Sequence, residues 1–169
     1  RMTQFKEKAE GKDFVSAAYL ASLYEARARL SGDITDYTRA NDAAERSLRI
    51  EPKQVDVLAL HARLALAIHD FSRALSEAAA LDRTMPDQPA ILAIMGDAEL
   101  ELGDVDGASK LYDRIQSHAP GPGSTARLAR LSFLRGDPAA AIKQAAAAEA
   151  AAAAGGADGP SLSWYAYLT

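Results

Sequence analysis

The sequence of 169 residues has no cysteine, only 7% aromatic residues and no long uncharged apolar segment. The lack of cysteine excludes disulfides, thiolate metal sites and thiol nucleophiles. Because no stretch of about 18 apolar residues occurs, the sequence predicts no transmembrane helix. Acidic and basic residues are interspersed with a net charge of −4, and no basic block indicates a nucleic-acid or membrane surface.

Alanine is the residue present in excess, at 38 of the 169 positions. Alanine has the highest helix propensity and lets helix axes approach closely, whereas the β-branched residues that favour strands are few. The composition therefore predicts an all-α protein with closely packed helices. The abundance of alanine and arginine is also typical of bacterial proteins encoded by GC-rich genes.

A period of about 34 residues recurs along the chain. Pro52, Pro86 and Pro120 are 34 residues apart, and the turn pairs Gly103–Asp104 and Gly136–Asp137 are 33 apart. Each period holds two helical patterns, and a hairpin of this size cannot bury its own apolar face, so the hairpins are expected to stack. Four alanines step by 34, 34 and 33 residues: Ala40, Ala74, Ala108 and Ala141.

These markers resemble those of the tetratricopeptide repeat family. The third repeat reads Leu92-x2-Met95-Gly96 in its first helix and Ala108-x3-Tyr112 in its second. The resemblance implies a right-handed α-solenoid of stacked antiparallel helix-turn-helix repeats. Small residues are expected where the two helices of each repeat cross closely, at Ala21, Ala62, Gly96 and Ala129.

The resemblance divides the chain, taken as a single repeat domain over 1–169, into four repeats. The first carries about seven extra residues around Arg29 to Asp36, which predicts one additional turn in each of its helices. The second helix of the fourth is expected to continue to Gly155. In the third repeat, the helices are expected at about 88–102 and 105–118. The four repeats span about residues 14–53, 54–87, 88–121 and 122–156.

The two ends of the chain resemble parts of further repeats. Residues 1–10 resemble the last turns of an earlier second helix, and residues 160–169 resemble the start of another first helix. Because repeat arrays end in polar capping repeats, both ends are expected to cut through a longer array. The alternative is that the last residues form a short capping helix.

In the family, the first helices line a concave groove that binds an extended peptide or a partner's helix. Arg63 and Arg130 flank Asp97 in the repeat register, which predicts a groove floor of mixed sign. The alternative for each charged residue is a solvated surface or an intramolecular ion pair. The resemblance assigns these residues to the groove: Ser22, Glu25, Arg29, Asp56, Ala59, Arg63, Ala93, Asp97, Leu100, Ala126, Arg130 and Phe133.

No catalytic motif, cofactor site or metal site is predicted. The sequence has no Gly-x-Ser-x-Gly, no phosphate-binding loop and no paired-carboxylate pattern. His61 and His69 are eight residues apart, which is too far along a helix for one shared metal ion. His61 is expected to pack between helices, His69 to take the place of a turn glycine, and His118 to end a helix.

The sequence therefore predicts a non-catalytic scaffold that binds a protein or peptide partner, without nucleic acid and without membrane insertion. It is expected to be soluble and either cytoplasmic or periplasmic. One alternative is a structural element that self-associates through exposed terminal repeat faces, such as the one near Trp164. The other is a regulatory arm of a longer protein whose active domain lies outside this segment.

Overall fold

The computed structural model describes residues 13–155. The expectations for residues 1–10 and 160–169 lie outside this range. The described residues contain helices and no strand, which confirms the all-α prediction for this part of the chain. The helices are α1 Phe14–Ser31, α2 Ile34–Ile50, α3 Val55–Ala67, α4 Phe71–Thr84, α5 Pro89–Glu101, α6 Val105–His118, α7 Pro122–Leu134 and α8 Pro138–Ala154.

The helices belong to two compact units, which divide between Pro86 and Asp87. The first unit contains α1 to α4 and the second contains α5 to α8. Within each unit, consecutive helices pack against each other, and α1 also contacts α3. Across the described residues, every helix is too short or too polar to span a lipid bilayer.

Local signals in the sequence set where the helices begin. Five helices start after an aspartate whose side chain accepts a hydrogen bond from a backbone N–H of the first turn. Three helices have proline at their first position, where the missing N–H has no cost. The capping aspartates are Asp13, Asp33, Asp70, Asp104 and Asp137, and the prolines are Pro89, Pro122 and Pro138.

The turns within the hairpins use left-handed backbone. Gly32, Gly103 and Gly136 have positive φ angles, and His69 takes the equivalent place in the second hairpin at φ 65°. The His69 ring stacks on Phe71, with centroids 5.4 Å apart. This confirms the expectation that His69 stands where the other repeats have a turn glycine.

Helix lengths confirm the predicted irregularities of the repeats. α1 has 18 residues and α2 has 17, compared with 13 in α3 and 14 in α4. The seven extra residues therefore lengthen both helices of the first hairpin. α8 also has 17 residues and ends at Ala154, just before Gly155.

In the second unit, Gly96 faces Tyr112 where α5 and α6 pack together. A Cβ atom at Gly96 would stand 2.5 Å from Cε1 of the Tyr112 ring, and Tyr112 is completely buried. Glycine is therefore required for α5 and α6 to pack at this distance. The corresponding Ala21, Ala62 and Ala129 are also buried, as expected for small residues at the crossings.

Candidate functional site

Each unit contains two hairpins. In the first unit, an ion pair joins α1 and α3, which are the first helices of these two hairpins. Nε of Arg63 donates to Oε1 of Glu25 at 2.6 Å, and its Nη2 donates to Oε2 at 2.9 Å. The Glu25 side chain is 11% exposed and the Arg63 side chain 46% exposed. A bidentate pair of this geometry fixes the positions of both helices, while the guanidinium keeps one side toward solvent.

Exposed polar side chains also lie on the two helices that carry this pair. Ser22 and Arg29 on α1 and Asp56 on α3 are exposed, and Ala59 is partly buried. The Ser22 hydroxyl donates to the carbonyl of Ala18 at 3.3 Å. The first unit therefore presents small and charged groups on the same helices as the paired carboxylate of Glu25.

The first helices of the second unit, α5 and α7, are joined through Asp97. Nε and Nη2 of Arg127 donate to the two carboxylate oxygens at 2.8 and 2.7 Å. The buried Tyr112 hydroxyl donates to the same carboxylate at 2.8 Å. Burial raises the pKa of the Tyr112 phenol, and the adjacent Asp97 carboxylate raises that pKa further. The phenol therefore acts as a permanent hydrogen-bond donor that links α6 to this pair.

A second pair joins the same two helices. Nη2 of Arg130 donates to Oε1 of Glu101 at 2.6 Å, and both side chains are more than one third exposed. Phe133, one turn further along α7, is 66% exposed. The adjacent Leu134 is 52% exposed, so the end of α7 presents two apolar side chains to solvent.

The structure separates the predicted groove residues into exposed and buried ones. Ala93 is partly buried, but Leu100 is only 7% exposed and belongs to the core cluster that contains Leu131. Ala126 is also completely buried. Leu100 and Ala126 therefore differ from their expected place on the surface, because both contribute to the packing of the second unit.

Four of the predicted charged residues form intramolecular ion pairs, which is one of the alternatives given for them: Glu25, Arg63, Asp97 and Arg130. Asp97 pairs with Arg127, and Arg130 pairs with Glu101 one turn away. Neither Arg127 nor Glu101 was a predicted groove residue. The sequence does contain a signal for Arg127, because its spacing of three residues from Arg130 places both arginines on one side of α7.

The three histidines occupy the places expected for them, and His69 lies in the turn described above. Nδ1 of His118 lies 2.8 Å from the carbonyl of Arg114, at the end of α6. His61 on α3 is 12% exposed and faces α2 and α4, where its contacts are with polar side chains. Among the described residues, no group of three or more His, Cys, Asp or Glu residues has the arrangement of a metal site.

Sequence comparison and structural comparison give different results for this chain. No protein-family model and no curated protein matches the sequence. MamA from Desulfovibrio magneticus RS-1 is 15% identical and superposes with a TM-score of 0.70, over 87% of this chain and 81% of that one.

Two further solved structures are named as tetratricopeptide repeat proteins. One from Parabacteroides merdae ATCC 43184 is 14% identical with a TM-score of 0.65, over 99% of this chain and 75% of that one. A thermophilic one from Thermus thermophilus is 18% identical with a TM-score of 0.56, over 92% of this chain and 98% of that one. The source organisms are bacteria, consistent with the origin expected from the composition. The chain therefore has the fold of the tetratricopeptide repeat proteins.

Proposed function

We propose that the chain is a non-catalytic protein-binding module, which binds an extended peptide or a helix of a partner on the first helices of its hairpins. Tetratricopeptide-like folds generally bind protein partners, but a fold alone does not define a function. The observation that carries the proposal is the set of ion pairs between first helices. These pairs order the first helices before any partner binds, and other side chains on the same helices stay exposed.

In the first unit, the Glu25–Arg63 pair supports this function by holding α1 and α3 in a fixed arrangement. A surface that is ordered before binding loses less conformational entropy when a partner docks. Arg29 and Asp56 are exposed on the same two helices. They offer a cation and an anion to the polar groups of a bound peptide.

In the second unit, two pairs hold α5 against α7, and Phe133 stands exposed on α7. Aromatic residues are enriched among the residues that dominate binding energy at protein interfaces. The neighbouring Arg130 is already paired with Glu101, so its position is fixed at little further cost. We therefore assign Phe133 the role of apolar anchor and the paired charges the role of its polar rim.

The experiment selects peptides from a random display library against the whole chain and measures their affinity for variants. For a peptide bound by the second unit, Phe133→Ala is expected to weaken binding by about tenfold, and for one bound by the first unit, Arg29→Glu is expected to do so, the scale of a single dominant contact. Ile142→Ala and Arg83→Glu are the matched controls, because these residues are exposed on the second helices α8 and α4. Equal losses in variants and controls, or no loss in either, would contradict the proposed surface.

Light scattering over a range of concentrations distinguishes this function from self-association. A chain that stays monomeric while it binds the selected peptides supports the proposal. Concentration-dependent dimers that Phe133→Ala abolishes would instead assign the same surface to a second copy of the chain.

A further inference from the structure

His61 lies at the centre of a polar network that connects three helices of the first unit. Its Nδ1 is 2.9 Å from Oε2 of Glu77, and its Nε2 is 3.2 Å from Nη1 of Arg73, both on α4. The same Nη1 of Arg73 donates to Oδ1 of Asn41 on α2 at 3.3 Å. With only 12% of its side chain exposed, the imidazole has few ways to replace these partners with water.

The chemistry of the two neighbours determines where the proton of the neutral ring lies. A guanidinium has donors only, so Nε2 of His61 must accept from Arg73. A carboxylate at neutral pH has acceptors only, so Nδ1 must carry the hydrogen and donate to Glu77. The neutral ring therefore holds its proton on Nδ1, and both of its nitrogens are satisfied.

A second proton makes this arrangement impossible. A protonated ring carries N–H groups at both nitrogens, so Nε2 would place a donor and a positive charge against the guanidinium of Arg73. Another acceptor is close by, because Oε1 of Glu45 on α2 lies 3.9 Å from Nε2. A small rotation of either side chain would bring these two atoms within hydrogen-bond distance.

We propose that His61 is a proton-operated contact between α2, α3 and α4. The neutral ring holds Arg73, whereas the protonated ring releases Arg73 and pairs with Glu45 and Glu77. Histidine is the side chain whose unperturbed charge change falls between pH 5 and 8, so pH is the variable that tests this exchange. The proton therefore exchanges a contact of His61 with Arg73 on α4 for a contact with Glu45 on α2.

Of the helices that pack against α3, both α4 and α2 place charged groups beside the ring. From α4, Glu77 and Arg73 face it, and Asp70 contacts Nε of Arg73 at 3.0 Å. From α2, Glu45 faces it, with Asn41 donating to the same Oε1 at 2.9 Å and Arg49 lying 3.6 Å from the other oxygen. On α1, Glu25 pairs with Arg63. Two carboxylates and one guanidinium therefore border the imidazole directly.

The test is a pH titration of the whole chain by NMR, in which the ¹⁵N shifts of the imidazole identify the protonated nitrogen. At high pH, His61 is expected to carry its proton on Nδ1, the opposite of the form that free histidine prefers. The exposed His69 and His118 serve as references in the same spectra. The side-chain signals of Arg73 are expected to change with the same midpoint as His61.

Two variants separate this exchange from a purely structural role. Glu45→Gln removes the acid-state partner and is expected to lower the measured midpoint, whereas Arg73→Gln removes the neighbouring cation and is expected to raise it. Glu51→Gln and Arg83→Gln are matched controls near the end of α2 and on α4, and they are expected to leave the midpoint unchanged. A proton on Nε2 at high pH, or a midpoint that neither variant moves, would overturn the proposal.

Discussion

Asp36 is a buried carboxylate that depends on two arginines. Its side chain is 1% exposed and accepts hydrogen bonds from Arg27 on α1 and, at 2.8 Å, from Arg39 on α2. The hydrogen bonds from Arg27 hold the pKa of the Asp36 carboxyl at about 2, against the opposing effect of burial. The ionised form of Asp36 therefore stabilises the long first hairpin.

The first prediction concerns Asp36→Asn. The pKa is lowered on folding, so the stabilisation is present above the unfolded value of 3.8 and is lost as the pH falls through about 2. The variant is expected to melt at a lower temperature than the parent at neutral pH, and the difference should close between about pH 4 and pH 2. Thermal melts followed by circular dichroism measure this, and a difference that stays constant down to the lowest pH would contradict it.

Glu99 presents the opposite situation on α5. Its Oε2 is buried without a hydrogen-bond partner and contacts the place where Gly107 lacks a side chain. Burial raises the pKa of the Glu99 carboxyl, and the neighbouring Asp104 raises that pKa further, although Lys110 acts in the other direction. The charged form of Glu99 is therefore unfavourable in the folded protein.

The second prediction is that Glu99→Gln stabilises the chain at neutral pH. A raised pKa means that the contribution of Glu99 is most favourable below its unfolded value of 4.5 and is lost as the pH rises through the folded value. The amide does not ionise and can donate to Asp104, so we expect a gain of about 1 kcal/mol at pH 7. Denaturant unfolding at pH 7 and pH 4 tests this, since the gain should shrink at the lower pH.

Asp36 and Glu99 are buried charged residues, and aligning the repeats does not reveal that they are buried. Asp36 belongs to the residues inserted in the first hairpin and has no counterpart in the other repeats. Glu99 stands where the family pattern has tyrosine, and the sequence alone does not show whether a nearby donor satisfies it. Burial of a charge depends on neighbours that are distant along the chain, whereas the repeat pattern records only local spacing.

At the scale of helices, the boundaries followed from the sequence but the pairing of charges did not. Helices expected at about 88–102 and 105–118 occur at Pro89–Glu101 and Val105–His118. Aspartate caps, prolines and turn glycines are local signals, so they define helix ends reliably. Asp97 pairs with Arg127 and not with Arg130 because of how α7 is rotated about its axis against α5. The spacing of the residues in the sequence does not specify this rotation.

The third prediction concerns the crossing of α5 and α6. Gly96→Ala introduces a methyl group against the completely buried ring of Tyr112, which overpacks the second unit. Overpacking of this kind costs about 1–3 kcal/mol, and denaturant unfolding measures it. Gly123→Ala is the matched control, because its Cβ would lie 3.5 Å from Nη1 of Arg127, an ordinary contact distance. A Gly96→Ala variant as stable as the control would show that α5 and α6 tolerate the methyl group.

At the scale of the whole molecule, the 34-residue period was enough to predict the fold class. It was not enough to identify a partner, because several predicted groove positions are engaged within the protein. Leu100 packs in the core, and Glu25 and Asp97 are paired with arginines. Repeat register specifies where along a helix a residue lies, while its availability to a ligand depends on side chains from the next helix.

The fourth prediction concerns how far the destabilising effect of one substitution extends along the chain. In repeat proteins, stability is approximately a sum of terms within repeats and between neighbouring repeats. Gly96→Ala is therefore expected to reduce amide hydrogen-exchange protection in α5 to α7 while α1 to α3 keep nearly the protection of the parent. Mass spectrometry of peptide fragments resolves the two regions, and an equal loss in both would indicate a single cooperative block.

The packing of consecutive helices against one another has a kinetic consequence. Most helix contacts within each unit join neighbours in the chain, and short turns connect them. The mean sequence separation between touching residues is therefore small, and little loop entropy has to be lost before contacts form. Proteins dominated by such local contacts fold in microseconds to milliseconds, so each hairpin has a short interval in which its alanine-rich faces are unprotected from aggregation.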